Sequence, residues 1–125
     1  MPYVTRVDQA ALKAAGVNAR FSQPLVAAEA GLQSCTINYI QTPAGGGSPA
    51  GLHTHAVDQV FYILSGTMSI EIAGEQFEVG PGAAVVFPAG VPHRNWNAGA
   101  EATIHLAFQA PAPDPSVPFS QSVGK

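Results

Sequence analysis

Residues 47–66 read GSPAGLHTHAVDQVFYILSG, and this stretch decides what kind of chain it belongs to. Behind a run of Gly and Pro, His53 and His55 stand two apart at the head of a β-prone segment. Residues i and i+2 of a strand project from the same face, so the two imidazoles aim in one direction. Further on, Gln59, Phe61 and Ile63 share a face, and the large apolar pair marks it as inward, which turns Asp58 away. His93 heads another such run, thirty-eight residues after His55. Neutral imidazole is the commonest protein metal ligand near neutral pH. Two rings from one strand and one from a neighbour form a facial set with open coordination positions, as a catalytic metal requires.

Outward from this stretch the chain continues in short β-prone runs separated by Gly, Pro and Asn. Strands are expected near Phe21–Val26, Ser34–Gln41, His53–His55, Gln59–Ser65, Thr67–Ile72, Glu75–Val79, Ala84–Phe87, His93–Trp96 and Ala102–Phe108. Thr42–Gly51, with four Gly and two Pro, is a loop. Ile72-Ala73-Gly74-Glu75 is a tight hairpin turn. The one helix expected runs from Gln9 to Ala15, capped by Asp8 and stopped by Gly16. Tyr3–Val7 alternates weakly enough to be a further strand. About nine short strands indicate an all-β sandwich or small barrel, roomy enough for one ligand. The expected organisation is a single domain over residues 1–125, with an N-terminal arm to about residue 20 and a Pro-rich C-terminal tail, extended or disordered, from about residue 110.

Composition narrows the function classes. The formal charge is −3 and the five Lys and Arg are scattered, so neither nucleic acid nor an anionic membrane surface is an expected partner. No apolar run is long enough to span a bilayer and no signal-peptide pattern is visible. Charged residues make up only 10% of the chain, well below the usual quarter, which leaves much surface to small residues or to an oligomer. A single cysteine, Cys35, excludes an internal disulfide and favours a reducing cytosol; with no basic neighbour it is expected to be buried and inert.

Two spaced motifs then come into register. Gly47, His53, His55, Gln59 and Gly66 fit G-x5-H-x-H-x3,4-E-x6-G with one change, and Gly82 (of GAAVVFPAGVPHRNWN, 82–97), Pro88, Gly90, His93 and Asn97 fit G-x5-P-x-G-x2-H-x3-N throughout. In these residues the chain resembles the cupin superfamily. The resemblance implies a double-stranded β-helix (jelly-roll) barrel, to which the capped residues add one short N-terminal helix, and a metal held inside by His53, His55, His93 and the residue at the Glu position. Imidazole suits most divalent transition metals, so Fe, Mn, Ni, Cu, Co and Zn are all open, with Fe slightly preferred. It does not choose a reaction, since this fold hosts dioxygenases, isomerases, lyases, decarboxylases and non-enzymatic binders.

Gln59 stands where that Glu is usual. A neutral amide is a weak ligand or a partner for a bound water, so the ion keeps its full charge and favours a small anionic or chelating substrate. His105 is the one other candidate for acid–base work, although its lone position in a strand suits a surface or hydrogen-bonded structural role. Tyr39, Tyr62 and Trp96 are expected as core or interface aromatics, and Arg94 on the face opposite His93. No Ser-His-Asp set, phosphate-cradling loop or paired carboxylates is visible, so any chemistry runs on the metal. The preferred expectation is a mononuclear non-haem dioxygenase of an enolisable or phenolic metabolite. The alternatives are a redox-neutral isomerase, lyase or cyclase, and a small-molecule binding or sensing module. A homodimer in the cytoplasm, with the Tyr3–Val7 strand adding to the partner's edge, completes the expectation.

Overall fold

The computed structural model describes residues 3–27, 34–48, 51–114, 116 and 118–123. The helix α1, Gln9–Ala15, begins where Asp8 accepts the Ala11 amide at 3.0 Å and ends at Gly16, as the capping residues predict. Ten strands follow: β1 Phe21–Val26, β2 Thr36–Thr42, β3 Leu52–His55, β4 Asp58–Ser65, β5 Met68–Ile72, β6 Glu75–Val79, β7 Ala84–Phe87, β8 His93–Trp96, β9 Thr103–Ala110 and β10 Ser120–Val123. They form two five-stranded sheets, ordered β1-β2-β9-β4-β7 and β10-β3-β8-β5-β6, and every pairing between named strands is antiparallel. This is the jelly-roll expected from the sequence, with strand ends shifted by one or two residues.

The sheets close on a core of Phe61, Ile63, Met68, Ile70, Val85, Phe87 and Ala107. Parity explains most of it: Met68 and Ile70 point inward from β5, and Phe61 and Ile63 from β4, with Tyr62 and Leu64 exposed between and beyond them. Below this packed end the inward positions change character. Gln59, His55, His93 and His105 are buried and polar, so one end of the barrel is a core and the other a cup.

Three expectations fail here. Tyr3–Val7 forms no strand. The Gln23 side chain ties its end instead, accepting from the Asp8 amide at 2.8 Å and donating to the Arg6 carbonyl at 3.0 Å. The C-terminal tail is not merely an extended or disordered arm. It returns as β10, pairing Ser120–Val123 against the free edge of β3 and supplying the partner that edge lacks. Cys35 is partly exposed ahead of β2, not buried.

The outward face of the first sheet is unusual for an antiparallel sheet facing water, where polar residues are the rule. Ile37, Phe108, Val60 and Val86 form one row across four strands, and Tyr39, Leu106, Tyr62 and Ala84 the next. None of the eight carries a charge, and Tyr62 and Val86 are exposed.

The loop before β3 is laced to the end of β8. Gly45 donates to Asn97 O, Ser48 to Asn95 O and Asn97 to Gly46 O, at 2.8–2.9 Å. Gly47 has φ 144°, and a Cβ there would lie 2.5 Å from Asn95 O and 2.6 Å from the Trp96 Cα. Gly74, in the β5–β6 turn, has φ 84° but open space around it. Gly47→Ala is therefore expected to destabilise by about 3 kcal/mol or more, from backbone strain and collision together. Gly74→Ala is expected to cost only about 1–2 kcal/mol for its left-handed backbone. Urea denaturation of the two variants checks the order.

Candidate metal centre

His53 and His55 leave β3 on the same side, and β3 meets β8 at one register pair, His53 opposite His93. The strand spacing and that register bring all three rings together. Centroids are 4.9 Å apart for His53–His55, 4.4 Å for His53–His93 and 4.9 Å for His55–His93, and one nitrogen from each ring lies within 4.8 Å of the other two.

Backbone carbonyls hold two of the rings in defined tautomers. His55 Nδ1 is 2.9 Å from Phe119 O, and His93 Nδ1 is 3.0 Å from Val91 O. A carbonyl only accepts, so each Nδ1 carries the proton and each Nε2 a lone pair. His93 Nε2 is buried with no hydrogen-bond partner among the described residues. An unpaired buried polar atom costs about 1–3 kcal/mol, a cost that a cation at the convergence of the lone pairs removes. Three neutral imidazoles, two of them braced through the far nitrogen, fit a divalent transition metal.

The surroundings keep the rings neutral. Burial lowers the pKa of all three, and lowers that of His93 from 6.5 to about 4. For His53 and His93 the neighbouring imidazoles add to the shift, while for His55 the Phe119 carbonyl and the Gln59 side chain oppose it. Gln59 is buried and, with His53 and His55, lines a cavity of about 330 Å³ that has no Asp or Glu among its described lining residues. Asp58 is turned out, as parity requires, and accepts the Ala89 amide at 2.8 Å.

His105 requires a correction. It is neither at the surface nor hydrogen-bonded to a structural partner: it is buried, lines the cavity, and has both ring nitrogens unpartnered among the described residues. Its pKa is lowered to about 4 by burial and by the charge of Arg20. It stands outside the three-histidine cluster, beyond two phenyl rings. Centroid distances run 4.4 Å from His93 to Phe87, 4.7 Å to Phe61 and 4.2 Å on to His105. The inward side of β9 is Thr103, His105, Ala107 and Gln109, opposite to its large apolar residues.

Two contributors are absent from the motif reading. Phe119 stacks on His55 at 4.1 Å and supplies the carbonyl that holds it, and the only sequence signal was a lone aromatic in a Pro-rich segment. Arg20, ahead of β1, lines the cavity mouth and had no signal at all. Two other motif neighbours are structural. Asn97 donates to Thr42 O and Glu101 O, and Arg94 lies on the far face, bonded to Glu71 at 2.9 Å and over the Trp96 ring at 4.5 Å.

With this geometry in hand, residues 39–108 match the cupin domain family. An uncharacterised protein of Streptomyces coelicolor is 32% identical over 57 residues, 46% of this chain and 54% of that one, so the match spans about half the relative's length. The crystal structure of a conserved protein of unknown function from Streptococcus pyogenes superposes with a TM-score of 0.63 at 29% identity, over 78% of this chain and 77% of the other. The polyketide cyclase RemF from Streptomyces resistomycificus has a TM-score of 0.70 over 88% and 75% of the two chains; at 23% identity the likeness is one of fold.

The neutral state of these histidines gives the metal-free protein a pH signature. An unfolded chain binds protons at its histidines near pH 6.5, while His93 and His105 in the folded chain resist protonation until about pH 4. Their stabilising effect is therefore full above pH 6.5 and is lost progressively as pH falls toward 4. Urea midpoints of metal-free protein should drop between pH 7.5 and 5, and the drop should be smaller in His105→Leu. A midpoint constant over that range contradicts the buried neutral rings.

Proposed function

The chain belongs to the cupin family, and on that premise we propose a metal-dependent enzyme acting on a small anionic, chelating molecule that is enolisable or phenolic. The observation that carries this reading is the buried, unpartnered Nε2 of His93, facing two further imidazoles within 4.8 Å. His53, His55 and His93 hold the metal, with Gln59 beside them. A divalent ion there supplies Lewis-acid polarisation of a chelating oxygen or, with iron, a site for dioxygen.

The chain's own residues favour proton transfer as the reaction. His105 lines the cavity with both ring nitrogens unpartnered among the described residues; burial keeps it neutral, a weak base that suits only a proton already acidified by chelation. It accepts a proton from the carbon next to the chelating end. Nearby Arg20 makes the resulting imidazolium costly, so the proton is soon returned to a different atom of the same molecule. That is the pattern of an isomerase, lyase or cyclase. Ile40, Leu52, Phe61 and Phe119 give the cavity an apolar wall against which the carbon part of such a molecule would pack.

Dioxygenation, the first choice from sequence alone, is the second reading. Its support is a ligand set without any carboxylate beside an apolar wall, which suits oxidation of a phenolic or enolic chelate. The two divide on oxygen. Turnover by zinc- or nickel-loaded protein under strict anaerobiosis, falling at least tenfold in His105→Gln, is expected for proton transfer. Turnover only with iron and consumed O₂ replaces it with the dioxygenase. Tight ligand binding with no turnover under any metal indicates a binding module. Stoichiometric metal retained in a His53→Ala/His93→Ala double variant contradicts all three.

Assembly follows from the uncharged outer rows of the first sheet. We propose that a second copy of the chain covers them. A two-fold axis lays each row against its counterpart, with no charge to desolvate on either side. Light scattering should give a dimer mass at micromolar protein, and a Tyr62→Glu/Val86→Glu variant should give a monomer.

A further inference from the structure

The cavity lined by His53 and His55, beside the buried His93, has a further polar group in its lining. Arg20 immediately precedes β1, and the ladder carries that edge inward: Phe21 lies opposite Gln41, and Ile40 opposite His105. Arg20 and His105 therefore share one wall of the cavity, with Ile40 and Thr42 between them and β3 on the other side. Arg20 carries the only charged side chain among the lining residues. Among the described residues the one ion pair is Arg94 with Glu71, and the Arg20 guanidinium has no carboxylate partner among them. Its field reaches into the cup, where it contributes to holding His105 neutral.

A guanidinium in the lining and a metal at His53, His55 and His93 would give one cavity of about 330 Å³ two separate positive centres. That volume is at the small end for a ligand site. A single-ended anion engages one centre and leaves the other unanswered. A short molecule with an anionic group at each end engages both, and the planar fork of Arg takes a carboxylate through two parallel N–H···O bonds. We propose that the substrate is a short dianion, with a chelating 2-oxo or 2-hydroxy acid at one end and a second carboxylate at the other, and that Arg20 binds the second carboxylate. This rests on the metal reading above. It adds a role for Arg20 in orientation: anchoring the far carboxylate fixes which carbon of the chain faces His105. Arg20 is a positioning residue, and the atom that loses its proton is chosen by the distance between the two anchors.

The test is a pair of ligands that differ only at the far end. Cobalt-loaded protein is titrated with 2-oxoglutarate and with 2-oxopentanoate, in which a methyl group replaces the distal carboxylate; binding is followed by calorimetry and by the visible bands of cobalt. Wild-type protein is expected to prefer 2-oxoglutarate by about tenfold to a hundredfold, as a charge-assisted pair implies. Arg20→Gln should abolish the preference without changing the affinity for 2-oxopentanoate, and Arg20→Lys should recover only part of it. Arg20 is exposed, so the urea midpoints of both variants should equal that of wild type. Equal affinities in wild type, or a preference that survives Arg20→Gln, overturn the role of Arg20 while cobalt binding still stands. Failure to take up cobalt, or cobalt bands that neither ligand perturbs, overturns the metal reading and this inference with it.

Discussion

Three imidazole rings, two of them buried, whose nitrogens lie within 4.8 Å of one another resist protonation, and much of the fold is arranged around that constraint. The rings come together because β3 and β8 touch at the single pair His53–His93. So short a pairing needs bracing from outside. On one side the Gly45–Ser48 loop laces onto Asn95 and Asn97, which is possible only because Gly47 has no side chain to strike the Trp96 backbone. On the other side β10 closes the edge of β3, and the Phe119 carbonyl holds one ring by its far nitrogen. Ordinary backbone hydrogen bonds thus set the direction of the lone pairs.

The division of the barrel into a packed end and a polar cup follows from one strand more than any other. On β4, Ile63 and Phe61 belong to the core while Gln59, on the same face, belongs to the cup. The change from apolar to polar takes place within five residues of one inward row. Phe61 and Phe87 form the boundary, packed against His105 and His93 respectively. These two phenyl rings keep the fourth histidine apart from the other three. One cavity can therefore hold a cluster suited to a cation and, away from it, a single neutral base.

How much of this was legible in the sequence differs by element. The helix and nine strands were readable because Gly, Pro and Asn punctuate the chain and inward residues recur with period two. Motif spacing identified His53, His55, His93 and Gln59 because those residues sit at fixed distances from turns. On β9 the expectation of a surface or structural role for His105 fails, because the strand turns that residue inward. Large apolar residues normally mark the buried side, but here Ile104, Leu106 and Phe108 lie on an outer face that is itself apolar, and the inward row is Thr103, His105, Ala107 and Gln109. β10 was hidden by composition, since Pro-rich flanks lower the apparent strand propensity of Ser120–Val123 although the edge of β3 can still pair with it. Arg20 reaches the cavity only through a ladder that spans three strands, and no local pattern encodes such an adjacency.

The strand order also governs how the site comes into being. β9 lies between β2 and β4, and β8 between β3 and β5, so each sheet must join segments that are dozens of residues apart. Closing such loops costs chain entropy before any pairing repays it, and topologies of this kind fold slowly. Until β8 docks, only His53 and His55 are neighbours, and a two-imidazole site on a lone unpaired strand is a weak claim on any ion. The third ring and the carbonyl that orients His55 arrive with the long-range pairings themselves. A three-imidazole cation site is consequently completed only in the finished barrel, not in the nascent chain.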